Sequence, residues 1–308
     1  MFENQITIEN RPVLEEYLNG FEYKGSSYSF TALYMWRDIN QFSWQILGDH
    51  LCLSGISHLE LDQQQAFLFM PLTKNGVYEP RALRETILEA REIFRKKGQD
   101  FNLRLVPIHM LEQLDAAFPG EMRWLDDRPN YDYIYLTQDL IELKGRDYHA
   151  KKNHLNYFLE HYPYEYRRMD SSMAEEAMEF IRTFNRRKGE LSAYEMELLL
   201  HEEEAMDDVF RNIEAVGYLT GAIYIDGKLE ALSLGGALGR KTVTVHVEKA
   251  NVEYRGLYQA INNEFCKHQA SHVKYINREE DMGLPGLRKA KLSYRPVKLL
   301  ENYIVVFK

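Results

Sequence analysis

The amino-acid sequence predicts a mixed α+β protein composed of two domains. The chain has 308 residues, of which 45% are hydrophobic and 28% charged, as is usual for globular proteins. Domains typically contain about 100–200 residues, so this length accommodates two hydrophobic cores. Each half of the sequence follows the same order of strands, helix, strand, helix and strand after an opening helical stretch. No linker rich in Pro or Gly separates the halves, and we therefore predict an N-terminal domain over residues 1–139 and a C-terminal domain over residues 140–308.

In the first half, hydrophobic periodicity and turn residues define the predicted elements. Helical stretches extend to about residue 37, and the pair Gly48-Asp49 is typical of a hairpin turn between two strands. A helix begins at Pro80, which suits the first helical position, and ends at Gly98. The other segments predicted there are the strands Gln41–Leu47, His50–Gly55, Ala66–Pro71, Phe101–Val106 and Tyr131–Leu136 and the helix Ile108–Phe118.

The second half carries stronger local signals. Ser171 and Ser172, with Glu175 three residues beyond Ser172, have the pattern of a capping box at the start of a helix. The dipeptide Asp226-Gly227 predicts a tight turn between two strands. The predicted helices are Lys144–His161, the segment after Ser172, the acidic and solvated Leu191–Asn212, Gly256–His268 and Pro285–Leu292; the predicted strands are Tyr164–Met169, Gly217–Ile225, Lys228–Leu238, Thr242–Ala250, Val273–Asn277 and Tyr303–Phe307.

The number of cysteines and the hydropathy of the sequence indicate the cellular compartment of the protein. Two cysteines, Cys52 and Cys266, are too few for a disulfide scaffold and favour a reducing environment. The longest apolar runs are far too short to span a bilayer, and the first residues lack the basic-then-apolar order of a signal peptide. We therefore expect a cytoplasmic protein without a transmembrane segment. Because the two halves can pack on each other, we also expect a monomer.

The charge is distributed unevenly along the chain. Residues 1–143 contain 13 Lys and Arg against 22 Asp and Glu, whereas residues 144–308 contain 25 of each class. A pI near 5.7 argues against general coating of nucleic acid but permits a local basic groove. Two basic clusters in the second half could form one, or could equally be solvated faces: Lys144, Arg146, Lys151 and Lys152, and then Arg288, Lys289, Lys291, Arg295 and Lys298.

The predicted strand TVTVHVEKA is the most informative segment for chemistry. Since side chains alternate along a strand, Thr244, His246 and Glu248 share the face opposite the valines. One interpretation is an edge strand with a wet face. The other is a strand that faces a substrate, with His246 and Glu248 as proton acceptors or binding groups.

A turn at Arg255-Gly256 follows this strand and opens a helix. Free backbone N–H groups at such a helix start suit an anion, although a helix start that needs a flexible residue explains the glycine equally well. On the helix, Gln259 and Asn263 are four residues apart, so they could bind substrate or form a hydrogen-bonded surface pair.

The segment YINREEDMGLPGLRKAKLSY gathers charges of both signs after a predicted strand. This composition is more typical of an active-site loop than of a solvated helix. A carboxylate such as Asp281 could act as a base, and a cation such as Arg278 or Arg288 could hold a phosphate or an oxyanion.

Several other chemistries are not indicated. The sequence contains no nucleophile elbow, P-loop or dinucleotide fingerprint. His149 and His154 lack partners at the spacing of metal ligands, and we predict no metal site. Cys266 with His268 is not a credible nucleophile pair.

The motifs of the second half resemble a known family. LKGRDYHAKKNHLNYF, GAIYIDGKLEALSLGGAL, TVTVHVEKA, GLYQAINNEF and YINREEDMGLPGLRKAKLSYRP, together covering about residues 140–303, are similar to an uncharacterised family related to the C-terminal domain of bacterial phosphatidylglycerol lysyltransferase. FTALYMWR and AFLFMP extend the resemblance into the first half. The resemblance implies two tandem GCN5-related N-acetyltransferase (GNAT) domains, as in the Fem peptidyltransferases, which agrees with the repeated order of elements.

The resemblance also implies an activity. The lipid-modifying relatives transfer an amino acid from aminoacyl-tRNA to a lipid hydroxyl, and they usually carry a membrane-spanning region of a kind that this sequence lacks. GNAT enzymes instead bind acetyl-CoA through an R-x-x-G-x-G/A loop. The matching stretch here runs R-G-L-Y-Q-A from Arg255, with Tyr258 where the key glycine is expected. A bulky side chain there obstructs close approach to a pyrophosphate, so acyl-CoA is the less favoured donor.

The leading hypothesis is therefore an aminoacyl-tRNA-dependent transferase acting on a phospholipid or a peptide, with peripheral membrane contact if the acceptor is a lipid. The alternatives are a CoA-dependent N-acyltransferase on a small amine and a non-catalytic binding module that keeps the fold. The predicted catalytic residues are Asp281, Glu248, Arg278 and Arg288; the predicted substrate-binding residues are His246, Gln259, Asn263, Asn277, Lys289 and Lys291; and the predicted tRNA-binding residues are Lys144, Arg146, Lys151 and Lys152.

Overall fold

A computed structural model describes residues 1–20, 25–57, 65–186 and 193–308. The strands are β1 Asn4–Gln5, β2 Ser43–Leu47, β3 His50–Ser57, β4 Gln65–Leu68, β5 Leu103–Pro107, β6 Met122–Asp126, β7 Asp132–Leu136, β8 Glu165–Arg167, β9 Leu219–Ile225, β10 Lys228–Leu238, β11 Thr242–Ala250, β12 Tyr275–Asn277, β13 Lys298–Leu300 and β14 Asn302–Phe307. The α-helices are α1 Arg11–Leu18, α2 Phe30–Met35, α3 Pro80–Lys96, α4 Leu111–Ala117, α5 Thr137–Glu142, α6 His149–His161, α7 Ala174–Arg186, α8 Ala193–Arg211, α9 Ile213–Val216, α10 Leu257–Gln269 and α11 Pro285–Leu292.

The chain divides into two compact units. The first contains Met1–Asp132, Glu280–Leu284 and Leu299–Lys308, and the second contains Tyr133–Glu279 and Pro285–Lys298. The C-terminal residues belong to the first unit because β14 pairs antiparallel with both β5 and β6. The bounds of these units differ from those of the predicted domains, 1–139 and 140–308. That division of the chain stays a prediction.

A seven-stranded sheet of order β1-β2-β3-β4-β5-β14-β6 forms the centre of the first unit. Helix α3 begins as the sequence predicts, with Pro80 in its first turn, and the Glu79 carboxylate accepts the Ala82 N–H at 2.8 Å. Its buried face consists of Leu83, Thr86, Ile87, Ala90 and Phe94. Apolar residues at this spacing lie on one side of a helix, so α3 packs that side against the unit's core.

The second unit contains a sheet of order β13-β7-β12-β11-β10-β9-β8. The turn between β9 and β10 places Asp226 and Gly227 at positive φ, +50° and +75°, as expected for a tight hairpin turn that matches the twist of its strands. Strand β11 pairs with β10 on one side and with β12 on the other. It is therefore an interior strand, and the edge-strand interpretation of TVTVHVEKA is wrong.

Several predicted bounds differ from the observed ones. The helix predicted from Lys144 begins as an α-helix only at His149, after a short 3₁₀ turn. The cap before α7 is Asp170, whose carboxylate accepts the Ser172 N–H at 2.9 Å, rather than the predicted serines. Strands β1, β6 and β13 were not predicted. The predicted helix start at Leu191 lies outside the described residues.

Both cysteines are buried and reduced. Burial raises the pKa of the Cys266 thiol to about 12 and also raises that of Cys52, so neither is an activated nucleophile. Within the described ranges no helix combines the length and the apolar character needed to cross a bilayer.

His50 is a buried histidine whose protonation opposes folding of the first unit. It is 3% exposed, its Nδ1 lies 2.9 Å from the Thr86 hydroxyl, and its Nε2 is buried without a partner among the described residues. Burial lowers the pKa of His50, and the charge of Asp49 opposes this only partly. Below the unfolded value of about 6.5, the unfolded chain takes up a proton that the folded chain resists, so the free energy of unfolding decreases as the pH falls towards the folded pKa.

We predict that His50→Gln makes the free energy of unfolding less dependent on pH between about 7 and 5. Urea denaturation of both proteins at several pH values measures this difference. The comparison concerns the slope with pH, so a uniform loss of stability in the variant does not affect it. Equal slopes in the two proteins would contradict the prediction.

Candidate functional site

The two central parallel strands of the second unit separate at the point where the predicted site residues lie. Their register pairs Thr242 with Tyr275, Val243 with Ile276 and Thr244 with Asn277. Strand β12 ends there, whereas β11 continues to Ala250. We call the region between residues 244–250 and 277–279 the strand opening. Ligands of open α/β sheets commonly bind outside the carboxyl ends of strands, so this is the natural position for a site.

A buried ion pair spans the strand opening. The Glu248 carboxylate accepts hydrogen bonds from Asn262 Nδ2 at 2.8 Å, through Oε1, and from the Arg278 guanidinium, through Oε2. Only 9% of the Glu248 side chain and 15% of the Arg278 side chain are exposed. Burial alone would lower the pKa of Arg278, but the carboxylate of Glu248 opposes it and the pKa is raised overall. Arg278 is therefore a permanent cation, and Glu248 has a hydrogen-bond donor on each oxygen.

The guanidinium of Arg278 keeps one donor unused. Its Nη2 contacts Glu248, whereas Nη1 is buried with no hydrogen-bond partner in the described part of the chain. The rings of Tyr294 and Tyr135 lie beside the group, with centroids 4.8 and 5.8 Å from Cζ. A buried charged donor without an acceptor is costly. The arrangement suits a ligand that brings an oxygen acceptor, such as a carbonyl or an anion.

A second acid–base pair lies in the same opening. His246 Nδ1 is 2.7 Å from Glu279 Oε1, and the His246 side chain is inaccessible to solvent while 15% of the Glu279 side chain is exposed. Glu279 has a left-handed backbone with φ +56°, which is unusual for a residue with a side chain. Its N–H donates to Asn277 Oδ1 at 2.7 Å. The fully buried Asn277 thus fixes the turn that aims Glu279 at His246.

Lys291 holds the end of β12 rather than facing solvent. Its Nζ donates to the Arg278 carbonyl at 2.5 Å, and its own carbonyl accepts the Tyr135 hydroxyl at 2.8 Å. Helix α11 is thereby fixed to the strand that positions Arg278. Of the other predicted residues on this helix, Arg288 is half-buried and Lys289 is exposed.

Helix α10 contributes buried amides to the site. Asn263 Nδ2 donates to the carbonyls of Leu140 and Ile141 at 2.9 and 2.8 Å, which joins α10 to the last turn of α5. The alternative interpretation, a surface pair of Asn263 with Gln259, is therefore wrong, because Asn263 is buried and bonded elsewhere. The substrate-binding role of the two residues stays a prediction. Gln259 contacts the Tyr294 hydroxyl, and burial raises the pKa of Tyr294 to about 12 despite this contact.

Close packing explains the glycine at the start of α10. Gly256 has φ +91°, and a Cβ placed on it would lie 2.1 Å from the His154 carbonyl oxygen of α6. The preceding Arg255 stacks on Tyr157 at 4.3 Å. A residue with a side chain fits neither the backbone conformation nor the space, so this glycine is explained without a bound pyrophosphate.

Asp281 belongs to the first unit, unlike the residues of the strand opening. It is fully buried, its Oδ2 accepts Arg128 Nη1 at 3.0 Å, and its Oδ1 accepts the Gly283 N–H at 2.9 Å. Both oxygens therefore have donors.

The four predicted tRNA-binding cations differ in their surroundings. Lys144, Arg146 and Lys152 are exposed, and Lys144 forms an ion pair with Glu142 at 2.5 Å. Lys151 is half-buried, with Nζ 4.5 Å from the centre of the Tyr294 ring. It therefore lies beside the same aromatic ring as Arg278.

Sequence reasoning missed Tyr294, Asn262 and Glu279 as members of the site. Tyr294 was visible only as part of the motif KLSYRP, and Asn262 as one polar residue among several on α10. Glu279 was visible as one charge among several, and its contact with His246 depends on the turn after β12. Among the described residues no group of three or more His, Cys, Asp or Glu side chains is placed to hold a metal ion.

A cavity of about 470 Å³ lies elsewhere in the second unit. It is lined by Glu176, Glu179, Phe180, Thr183, Phe184, Gly227, Lys228, Leu229, Glu230 and Asn251. Two of its acids are engaged by neighbours, since Tyr224 donates to Glu176 at 2.6 Å and Asn251 donates to Glu230 at 2.8 Å. It contains none of the predicted site residues.

Comparison with known proteins places this geometry in a family. The family model described as "Phosphatidylglycerol lysyltransferase, C-terminal" matches residues 19–306. The chain belongs to this family. A conserved protein of unknown function from Bacteroides thetaiotaomicron has a similar structure, with 30% identity, a TM-score of 0.88 and full coverage of both chains.

Two more distant structures agree on the fold. L-PGS from Bacillus licheniformis aligns with a TM-score of 0.68 at 11% identity, over 100% of this chain and 94% of that one. FemX aligns with a TM-score of 0.61 at 10% identity, over 98% of this chain and 97% of that one. The fold is therefore mixed α+β and tandem GNAT-like, as the family resemblance implies, with one seven-stranded sheet in each unit.

We predict that Glu248→Gln lowers the free energy of unfolding by about 3 kcal/mol, because it leaves the buried Arg278 charge without its counterion. The double variant Glu248→Gln with Arg278→Met should recover part of this loss. Urea denaturation of the single and double variants measures both effects. Glu165→Gln, which removes a partner from the exposed Arg167 pair, serves as the control and should change stability by less than about 1 kcal/mol. An equally small effect of Glu248→Gln would contradict the prediction.

Proposed function

We propose that this protein transfers an aminoacyl group from aminoacyl-tRNA to the hydroxyl or amine of a phospholipid or peptide, with the strand opening as its active site. The observation that carries the proposal is the unused Nη1 of Arg278, a buried cationic donor in the strand opening. Membership of the phosphatidylglycerol lysyltransferase family and a fold shared with FemX support the choice of an aminoacyl group.

The chemistry follows from the charges that the reaction develops. The acceptor oxygen or nitrogen forms a bond to the ester carbonyl carbon and loses its proton, and the carbonyl oxygen becomes negative. Arg278 Nη1 would donate to that oxygen, where it stabilises the transition state more than the neutral ester. When the tetrahedral intermediate collapses, the bond between the carbonyl carbon and the ribose oxygen breaks, and the ribose hydroxyl receives a proton.

We assign the proton transfers to Glu279, the partly exposed member of the pair that it forms with His246. The 2.7 Å contact with His246 would hold its carboxylate in place. Glu248 is a weaker candidate for the base, because Arg278 and Asn262 donate to its two oxygens. Its role would be to hold Arg278 in position. The catalytic roles predicted for Asp281 and Arg288 stay predictions.

Acyl-CoA is the alternative donor. The close packing of Gly256 on α6 and the presence of Tyr258 where the acetyl-CoA loop has its key glycine disfavour a pyrophosphate at this turn. The transfer assay described below therefore includes a second reaction, with acetyl-CoA as the donor and a small amine as the acceptor. Transfer only in that reaction would replace the aminoacyl proposal.

We expect Arg278→Met to reduce transfer from a mixture of radiolabelled aminoacyl-tRNAs to lipid or peptide by about 10²- to 10³-fold, the usual effect of removing an oxyanion donor. The transfer rate of Arg278→Lys should lie between those of Arg278→Met and the wild type, because lysine keeps the positive charge but cannot donate to Glu248 and to the substrate from two separate nitrogens. Denaturation curves confirm that the variants are folded.

Arg167→Met is the matched control. Arg167 also lies over a tyrosine ring, 4.3 Å from that of Tyr224, and pairs with a glutamate, but it is exposed. Its removal should leave transfer unchanged. If a folded Arg278→Met protein transferred as fast as the wild type, Arg278 would have no part in the reaction. Binding of tRNA without turnover on any acceptor would instead favour a non-catalytic module.

A further inference from the structure

Lys151 is a half-buried cation without a carboxylate partner. It is the third residue of α6, and its Nζ lies 4.5 Å from the centre of the Tyr294 ring. No described residue offers its ammonium group a hydrogen-bond acceptor or an ion pair. Lysines that lose water on folding are normally paired.

A buried lysine elsewhere in the second unit shows the usual solution. Lys249 also lies over an aromatic ring, 5.1 Å from that of Phe184, and it forms an ion pair with Glu202 at 2.7 Å. Lys151 has the ring but lacks the carboxylate. Among the residues that the structure describes, none supplies the negative partner of Lys151, so this place is open to a ligand.

Arg278 strengthens this argument, because it approaches the same ring. Its Cζ is 4.8 Å from the Tyr294 centroid, so both cations lie within 5 Å of the centre of one ring. Burial, followed by the charge of Arg278, lowers the pKa of Lys151. Glu248 is the carboxylate that neutralises Arg278, and the second positive charge is left uncompensated.

We propose that Lys151 binds a phosphodiester of the substrate while Arg278 faces the carbonyl that reacts. The inference rests on the proposed function, since an aminoacyl-tRNA carries both groups on its last nucleotide: a phosphodiester on one side of the ribose and the aminoacyl ester on the other. A compact ammonium is a suitable point charge for a phosphate oxygen. The Tyr294 ring, which both cations approach, would set their spacing.

A phosphodiester could come from the donor or from a phospholipid acceptor. The donor is favoured because Lys152 and Arg146, close to Lys151 in the chain, are exposed cations. Exposed cations near Lys151 in the sequence suit a polynucleotide backbone. The experiment distinguishes the two sources.

The first probe is the dinucleotide cytidylyl-adenosine carrying a hydrolysis-stable aminoacylamide at its 3′ position, compared with its analogue in which an uncharged methylphosphonate replaces the phosphodiester. The wild type should bind the charged dinucleotide about tenfold more tightly, as expected for one hydrogen bond between charged groups. Lys151→Met, which keeps the apolar stem on Tyr294, should bind the two ligands equally. Lys151→Arg should restore the preference.

Lys274→Met is the matched control. Lys274 lies 5.1 Å from the centre of the Tyr275 ring, as an exposed lysine in the same unit, and its removal should leave the tenfold preference intact. If Lys151→Met kept the full preference for the charged dinucleotide, the proposal would be overturned.

The second probe is glycerophosphoglycerol, the soluble headgroup of a phospholipid. If the wild type bound this probe but not the dinucleotide, and Lys151→Met abolished the binding, the result would support a phosphodiester site at Lys151 and assign the phosphodiester to the acceptor. The inference would be overturned if neither probe showed binding that depends on Lys151. Transfer from aminoacyl-tRNA is measured separately, so a failure of the proposed function would be seen as absent turnover even where Lys151 binds a phosphodiester.

Discussion

The ion pair between Glu248 and Arg278 is the constraint on which the second unit's site depends. Strands β11 and β12 share a backbone ladder only as far as Thr244 and Asn277. Beyond that point a side-chain contact joins them. Asn262 of α10 donates to the same carboxylate, and Lys291 of α11 holds the backbone of Arg278. Two strands and two helices are thus fixed by one buried pair of charges, whose energy depends strongly on geometry in a medium of low dielectric constant.

Three buried charged residues of the two units differ in how completely they are hydrogen-bonded. In the first unit, Asp281 pairs with Arg128 and Asp132 accepts from the backbone and hydroxyl of Ser26. These carboxylates hold turns in place. In the second unit the pair is incomplete, because one donor of Arg278 remains unused. A buried polar group that is left unsatisfied in an otherwise well-bonded region is where a ligand has the most to contribute.

The sequence predicts most of the elements, because their signals are local. Asp226-Gly227 specifies its hairpin through two positive φ angles, and Pro80 with the apolar stripe of α3 specifies that helix. Strand β6 escaped prediction because four of its five residues are exposed, so it lacks the apolar pattern that marks a strand. Its existence depends on β14, which pairs with it from the far end of the chain.

The site was predictable in part for the same reason. His246 and Glu248 were found because alternation along one strand places them on one face. Their partners could not be found this way, since Glu279 lies 33 residues from His246 and Arg278 lies 30 residues from Glu248 in the sequence. For Asn263, residue type alone does not show that the amide lies against the end of another helix, as it does at Leu140 and Ile141. The contact of Lys151 with Tyr294 likewise cannot be predicted from the spacing of residues along the sequence.

The position of β14 determines the order in which the molecule is completed during synthesis. This strand lies between β5 and β6, inside the first sheet, yet its residues 302–307 follow all residues of the second unit in the sequence. Synthesis proceeds from the N-terminus, and domains generally fold in that order. Here residues 302–307 must be synthesised before the first sheet can close, so the first unit is completed only after every residue of the second has been made.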